Sequence, residues 1–333
     1  MKVCVLGSGG WGTALALDLL ENGHDVTLWS YRQEECEAMQ ASRENPMLKG
    51  VHLPEELKLT WDMNAAADCD AVVIATPSFA VRTTAKNLND IVRDGTVLIS
   101  VSKGIERGTS KRMTESIEEE TGGRCPVVAL CGPTHAEEVG RKIPSAIVAA
   151  STDRHAAELT QSLFMNEHFR VYTSDDVVGA ELGAALKNVI ALCAGICDGM
   201  GYGDNTRAML MTRGLTEIAR LGVAMGGKQA TFAGLTGVGD LIVTCTSMHS
   251  RNHRAGILIG QGVEPQEAVK QIGAVVEGFY AAQSARELAH KRGVEMPITE
   301  AAYAVLYEGL APKEALTRLM TRDKKRETED AWV

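Results

Sequence analysis

The chain has 333 residues, of which 45% are hydrophobic and 5% aromatic, and it contains 33 glycines. This length is sufficient for two domains with separate cores. The formal net charge of −9 argues against a general nucleic-acid-binding protein, because nucleic-acid backbones are anionic. The eight cysteines form no Cys-X-X-Cys pair, and the apolar runs are interrupted by glycine or charge. We therefore expect a reduced, cytoplasmic protein with no signal peptide and no membrane span.

A glycine-rich turn follows the first predicted strand, residues 2–6. Gly7, Gly9 and Gly12 have the spacing G-x-G-x-x-G and precede a predicted helix at 13–22. Gly7 permits a tight turn, Gly9 lets a pyrophosphate approach the backbone, and Gly12 lets the helix pack on the strand. The helix N-terminus offers N–H groups and partial positive charge to phosphates. This context predicts a Rossmann-type dinucleotide-binding fold.

The end of the second predicted strand, residues 25–29, bears on which dinucleotide is bound. An NAD site usually has Asp or Glu there to bind the adenine ribose hydroxyls. Here Tyr31 and Arg32 follow the strand, and the first acidic residue after the strand is Glu34. An arginine suits a 2′-phosphate, so the sequence favours NADP(H) and leaves NAD(H) possible. The alternative is a surface Arg32 with no cofactor role.

Alternating strands and helices continue to about residue 176. We predict strands at 70–76, 95–102, 127–130, 145–150 and 169–173, helices at 79–89 and 154–165, and a loop-rich excursion at 45–61. In open α/β sheets, ligands bind at the carboxyl ends of the strands. That rule selects Ser78, Lys103 and the turn at 132–136 as candidate site residues.

From residue 177 onward the apolar pattern is helical, with glycine or proline between the helices. We predict helices near 178–198, 205–225, 236–246, 251–261, 265–272, 275–292, 297–309 and 312–321. The sequence therefore predicts an α/β domain over residues 1–176 and an all-α domain over residues 177–333.

A lysine lies in the most apolar of these helices. Between residues 177 and 194 the strongly polar side chains are Glu181, Lys187 and Asn188, which predicts a buried helix. A buried ammonium is costly unless it is paired or deprotonated. Five helical neighbours of Lys187 are alanine or glycine, namely Ala180, Gly183, Ala184, Ala191 and Ala194, which we interpret as space for a ligand. The alternative is a lysine whose stem packs while its ammonium reaches water.

A second polar cluster follows a glycine-rich turn at 237–239. Asp240 opens an apolar run, so it either caps a helix or neutralises a buried ammonium. Ser250, Arg251 and Asn252 are a compact set of donors for phosphate oxygens.

Cys245, His249 and His253 recur every four residues, which is the spacing of a metal site on one helical face. Neighbouring arginines disfavour a divalent cation, and no fourth ligand is evident. We expect surface histidines and no metal.

Taken together, these motifs resemble the bacterial-type NAD(P)-dependent glycerol-3-phosphate dehydrogenases. The matching stretches, in the order of that family, are GSGGWGTALA at 7–16, ATPS at 75–78, SKG at 102–104, GPTHAEE at 132–138, LKNVIA at 186–191, GVGDL at 237–241, SRN at 250–252 and VVEG at 275–278. The resemblance implies reversible interconversion of dihydroxyacetone phosphate and sn-glycerol 3-phosphate, for glycerophospholipid synthesis, in a cytosolic and often dimeric enzyme. It also implies a helical domain similar to the C-terminal domain of 6-phosphogluconate dehydrogenase.

The resemblance assigns site residues position by position. Beyond the glycines of the turn, the cofactor positions fall on Gly10, Trp11, Tyr31, Arg32, Lys103, Ala136, Arg251, Val275 and Glu277. The substrate positions fall on Lys103, Gly132, Thr134, Lys187, Asp240, Ser250, Arg251 and Asn252. Lys187 is the implied proton acceptor, and we expect Asp240 to hold it in place. Serine is common in the family at Gly10 and is also used at Thr134, so at Gly10 only the backbone N–H is left for phosphate.

Two other functions are compatible with parts of this pattern. A β-hydroxyacid dehydrogenase of the same architecture also uses a Lys-Asn pair on its interdomain helix. A non-catalytic NADP(H) sensor needs only the dinucleotide fold, but it leaves a buried Lys187 unexplained. The donor set at 250–252 and the turn at 132–134 favour a phosphorylated triose.

Overall fold

The structure, a computed structural model, describes residues 1–327 and has an α/β part followed by a helical part. The strands are β1 (Lys2–Leu6), β2 (Asp25–Trp29), β3 (Lys58–Thr60), β4 (Ala71–Ile74), β5 (Val97–Ser100), β6 (Val127–Cys131), β7 (Ser145–Ala150) and β8 (Phe169–Ser174). They form one sheet in the order β3-β2-β1-β4-β5-β6-β7-β8. Neighbouring strands are parallel, except that β7 runs antiparallel to β6.

The strand order changes direction between β1 and β4, which opens a crevice at their carboxyl ends. Strands β4, β5 and β6 are apolar and buried along their length, as expected for parallel strands covered on both faces. The covering helices are α1 (Gly10–Glu21), α2 (Gln33–Ser42), α3 (Val81–Asn89), α4 (Met113–Glu120), α5 (Ala136–Val139) and α6 (Arg154–Phe164). The predicted Rossmann-type fold is confirmed.

The helical part contains nine α-helices within the described residues. They are α7 (Val177–Gly199), α8 (Asp204–Ala224), α9 (Gln229–Phe232), α10 (Asp240–Thr246), α11 (Arg251–Gly260), α12 (Pro265–Ile272), α13 (Glu277–Arg292), α14 (Pro297–Tyr307) and α15 (Pro312–Met320). The helix predicted near 236–246 is a wide π turn at Leu235–Gly239 followed by α10. Strand β8 ends only three residues before α7 begins, and a domain division at 176/177 stays a prediction.

Helix α7 is the centre of the helical part and packs against α8, α10, α11 and α13. By length and hydropathy it is the one helix among residues 1–327 able to cross a membrane, but 89% of its apolar window is buried within the molecule. A Cβ on Gly195 would lie 2.0 Å from the carbonyl oxygen of His253, and one on Gly256 would lie 2.1 Å from that of Leu192. These glycines therefore let the backbones of α7 and α11 touch.

The small residues around Lys187 do not line an open space, which corrects the interpretation above. Ala180 and Ala184 pack with residues of the sheet, and Ala191 and Ala194 pack in the helical core, all with 0% exposure. A Cβ on Gly183 would lie 2.4 Å from the Thr236 carbonyl oxygen. Their small size serves close packing around α7, so a ligand must reach Lys187 from the side of its ammonium.

Candidate active site

Lys187 and Lys103 share one carboxylate. The Nζ of Lys187 donates to Asp240 Oδ1 at 2.6 Å, and the Nζ of Lys103 donates to Asp240 Oδ2 at 2.9 Å. Lys187 is 4% exposed and Asp240 1% exposed, so the alternative in which the ammonium of Lys187 reaches water is wrong. Lys103 also donates to the Gly132 carbonyl oxygen at 2.8 Å. The array therefore joins α7, α10 and the ends of β5 and β6.

The surroundings of Lys187 bring its pKa close to neutrality. Burial lowers the pKa to about 8, and the charge of Lys103 acts in the same direction. Asp240 opposes both, because its negative charge and its hydrogen bond favour the protonated ammonium. A group with such a pKa exchanges a proton readily near physiological pH.

Asp240 is in the first turn of α10 but does not cap it, since its carboxylate is directed to the two ammonium groups and Gly239 is the N-cap. Of the two roles predicted for Asp240, neutralisation of a buried ammonium is correct and helix capping is wrong. Thr244 was not predicted as a site residue, yet its Oγ1 accepts from Lys187 Nζ at 2.5 Å. Its position four residues after Asp240 on one helical face was the available signal.

The predicted phosphate-binding set lies at the beginning of α11. Ser250 is its N-cap, and its Oγ accepts from the backbone N–H of His253 at 3.2 Å. Asn252 donates to Asn188 Oδ1 at 2.9 Å and accepts from the backbone N–H of Gly278 at 2.8 Å. Asn188 is adjacent to Lys187 in the sequence, but it was not predicted to belong to this site. These bonds fix the start of α11 to α7 and α13.

The glycine turn fits a dinucleotide. Gly7 has φ +126°, and a Cβ there would lie 2.6 Å from the Ala75 carbonyl oxygen. A Cβ on Gly12 would lie 2.0 Å from the Gly7 carbonyl oxygen, whereas one on Gly9 would meet no atom within 4 Å. The backbone is thus open at Gly9, where a pyrophosphate approaches, and helix α1 begins directly after it.

The excursion at 45–61, predicted to be rich in loops, closes over this turn and contains the short strand β3. Asn45 donates to the Ser8 carbonyl oxygen at 2.8 Å and to Thr13 Oγ1 at 2.7 Å. A Cβ on Gly10 would lie 2.6 Å from the Met47 carbonyl oxygen. Glycine at position 10 therefore permits a closer approach of this segment than the family's serine would.

Trp11, Tyr31 and Arg32 are further positions that the resemblance assigns to the cofactor. Trp11 has a buried Nε1 without a hydrogen-bond partner in the described chain, and its ring meets Phe169 edge-on. Tyr31 is 82% exposed, and Arg32 makes a surface ion pair with Glu35 at 3.1 Å, so both are accessible to a ligand.

Ala136 begins α5 beside the turn at 132–135, and Val275 lies just before α13. Glu277 opens α13, and its carboxylate accepts from Ser78 Oγ at 2.8 and 3.1 Å. Burial raises the pKa of Glu277, and the bonds from Ser78 oppose this effect. The pair joins the helical part to the end of β4.

His253 is not a surface residue. It is 4% exposed and pairs with Asp198 at 2.7 Å, because α11 places it against the end of α7. No group of three or more potential metal ligands occurs in the described part of the chain.

Comparison with known proteins decides the family. The model described as NAD-dependent glycerol-3-phosphate dehydrogenase N-terminus matches residues 2–157, and the C-terminus model of the same name matches residues 176–317. The chain belongs to this family. The predicted resemblance is thereby confirmed.

Relatives match over the full length of the chain. Glycerol-3-phosphate dehydrogenase [NAD(P)+] of Fusobacterium nucleatum is 52% identical, with 100% of both chains covered. The protein of that name from a Thermoanaerobacter species is 52% identical, over 98% of this chain and 99% of the relative. Among solved structures, glycerol-3-phosphate dehydrogenase from Coxiella burnetii has a TM-score of 0.92 at 38% identity, covering 96% of this chain and 99% of that one. A ketopantoate reductase from Ralstonia eutropha has a TM-score of 0.62 at 16% identity, which shows a shared fold alone.

Proposed function

We propose that this chain catalyses the reversible, NAD(P)-dependent interconversion of dihydroxyacetone phosphate and sn-glycerol 3-phosphate, supplying the latter for glycerophospholipid synthesis. The names of the relatives indicate the substrate pair. The structural observation that supports the proposal is the buried array of Lys187, Asp240 and Lys103 at the carboxyl ends of the strands.

In this proposal a bound nicotinamide supplies the hydride that adds to the C2 carbonyl. Lys187 donates a proton to the developing alkoxide, and in the reverse direction its neutral amine accepts the hydroxyl proton. Asp240 holds the ammonium in place and keeps its pKa from falling further. Lys103 stabilises negative charge on the reacting oxygen, which an enclosed site strengthens.

The substrate phosphate is proposed to lie at the beginning of α11. Arg251 is exposed there, and the first turn of the helix offers backbone N–H groups. Ser250 retains its hydroxyl proton as a donor, because the oxygen acts as acceptor in the helix cap. Lys103, Gly132, Thr134 and Asn252 complete the proposed substrate set.

The proposed cofactor set is the glycine turn of Gly7, Gly9, Gly10, Trp11 and Gly12, with Tyr31, Arg32, Lys103, Ala136, Arg251, Val275 and Glu277. Preference for NADP(H), a homodimeric assembly and a cytoplasmic location belong to the same proposal.

The direct test follows the oxidation of NADPH and of NADH with dihydroxyacetone phosphate, and then with unphosphorylated ketoacids. We expect turnover with the phosphorylated triose alone. Turnover with a ketoacid would favour the hydroxyacid dehydrogenase, and tight NADPH binding without turnover of any substrate would favour the sensor.

Arg32→Ala tests the cofactor preference. Loss of the guanidinium should weaken NADPH much more than NADH, since only NADPH carries the 2′-phosphate. The measurement is the KM for each nucleotide. Equal losses for both would contradict a 2′-phosphate contact and favour the alternative of a surface arginine.

A further inference from the structure

His135 lies between a proposed substrate residue, Thr134, and a proposed cofactor residue, Ala136. Its ring meets that of His249, with centroids 5.7 Å apart and planes at 51°. His135 belongs to the turn after β6 and His249 immediately precedes the cap of α11, so the two rings join the α/β part to the helical part beside the proposed phosphate site. None of the roles proposed above uses either histidine.

The two ring nitrogens of His135 have different surroundings. Nε2 is buried and has no hydrogen-bond partner among residues 1–327. The backbone of Val243 on α10 raises the pKa of the ring, as a carbonyl oxygen that faces a ring N–H does. When that N–H is on Nδ1, the Nε2 of the neutral ring is a lone-pair acceptor.

The charges around the ring keep it neutral. Burial lowers the pKa of His135, and the ammonium groups of Lys187 on α7 and of Lys103 after β5 lower it further. The Val243 carbonyl and Glu137 on α5 oppose this shift, and they are outweighed. A buried acceptor left unpaired costs about 1–3 kcal/mol, so its retention at a ligand site points to a donor on the ligand.

We propose that the proton of the neutral His135 ring is on Nδ1 and that Nε2 accepts a hydrogen bond from the unesterified hydroxyl of the bound three-carbon substrate. This inference rests on the proposed function. A phosphate dianion and a ketone have no proton to donate, whereas the free primary hydroxyl has one. The nicotinamide carboxamide also carries N–H donors, but the charge of Lys103, which acts on the ring, and the adjacent Thr134 both belong to the proposed substrate set and favour the substrate. His135 is thus a specificity residue that selects a hydroxylated triose phosphate.

Two substitutions separate the two ring nitrogens. His135→Asn keeps an N–H near the position of Nδ1 and removes the acceptor at Nε2. His135→Gln has an amide oxygen that reaches the position of Nε2. The substrates are dihydroxyacetone phosphate and hydroxyacetone phosphate, which differ only in that the second has hydrogen in place of the free hydroxyl.

The wild type should prefer the hydroxylated substrate. The Asn variant should lower kcat/KM for dihydroxyacetone phosphate roughly 10- to 100-fold, as expected for an unpaired buried hydroxyl. It should leave kcat/KM for hydroxyacetone phosphate nearly unchanged, and the Gln variant should recover part of the discrimination. His249→Asn is the matched control, because it removes the partner ring and should affect both substrates equally.

Each contrary result has a distinct meaning. Equal losses of the His135→Asn variant on both substrates would assign the ring a packing role and overturn the inference. A wild type that uses both substrates equally would overturn it without any variant. A rise confined to the KM for the nucleotide would assign Nε2 to the carboxamide and overturn it as well. A wild type that turns over neither substrate would refute the proposed function itself.

Discussion

At the scale of single residues, one carboxylate determines the protonation of the site. Asp240 accepts from Lys187 on one oxygen and from Lys103 on the other, so two ammonium groups share a single negative charge. Burial and the charge of Lys103 lower the pKa of Lys187 to about 8, and the carboxylate of Asp240 opposes both effects. The sequence predicted that Asp240 pairs with Lys187. It did not predict the sharing, because that depends on where β5 ends relative to α10.

Lys187→Ala should abolish most of the turnover. Removal of a positioned acid–base group typically lowers the rate by roughly two to four orders of magnitude. The dissociation constant of NADPH should stay near that of the wild type, because Lys187 is not among the residues of the glycine turn. Steady-state rates and a fluorescence titration of NADPH provide the two measurements. Near-normal turnover would rule out Lys187 as the proton donor.

The pH profile tests the role of Asp240. Reduction of the ketone requires protonated Lys187, so kcat/KM should fall as the pH rises past about 8, and oxidation of the alcohol should rise over the same range. Asp240→Asn removes the influence that raises the pKa of Lys187, so the midpoint of both profiles should move to lower pH. Thr244→Val is the control, since it removes a neutral hydrogen-bond partner of similar shape and should move the midpoint less. An unchanged midpoint in Asp240→Asn would contradict the pairing.

At the scale of elements, glycines determine how closely α11 approaches α7. Gly256→Ala would put a Cβ 2.1 Å from the Leu192 carbonyl oxygen and 2.8 Å from the Ile196 nitrogen. Overpacking of this kind costs about 1–3 kcal/mol, and it displaces the start of α11, where Arg251 lies. We expect a lower melting temperature and a higher KM for the phosphorylated substrate. Gly203→Ala is the control, because a Cβ there meets nothing within 4 Å and the N-cap change should cost under about 1 kcal/mol.

The sequence predicted elements well where apolar periodicity is strong. The predicted bounds of β1, β2, β7 and α12 agree with the structure, because each has a clear apolar pattern between turn residues. Helix α2 received no prediction, since Cys36 and Met39 are its only buried residues. The antiparallel direction of β7 depends on the path of the chain around α5, which local patterns do not contain.

Prediction of the site residues was limited in the same way, because local patterns do not contain contacts between distant parts of the chain. Motif residues were predicted by position, but Thr244 and Asn188 were given no role in the site, and His135 entered only as part of the turn at 132–136. Each makes its contacts there with residues distant in sequence. A single sequence records residue types and spacing. The distances between a strand end and a helix that follows a hundred residues later come only from packing.

At the scale of the whole molecule, helix α7 is anchored to the α/β part by a buried carboxylate. Glu181, less than two turns before Lys187 on α7, accepts from the backbone N–H of Thr114 at 2.9 Å, from its hydroxyl at 2.5 Å, and from Arg112 at 2.6 Å. Both partners lie at the start of α4 in the α/β part. This contact and the pair of Ser78 with Glu277 together fix how the ammonium of Lys187 faces the strand ends.

Glu181→Gln should therefore reduce both stability and turnover. The amide keeps the shape of the carboxylate, but its N–H₂ end must face donors from Thr114 or Arg112. The half-buried guanidinium of Arg112 loses one of its two counter-charges, since its pair with Glu115 remains. Breaking a buried ion pair from one side costs about 3–5 kcal/mol. Glu158→Gln is the matched control, because its pair with Arg154 is exposed to solvent and such pairs contribute little to stability. Urea unfolding measures stability, and kcat with saturating substrate reports the placement of Lys187. Equal urea midpoints and equal turnover rates for the two variants would contradict this prediction. The position of α7 would then be set by its apolar packing alone.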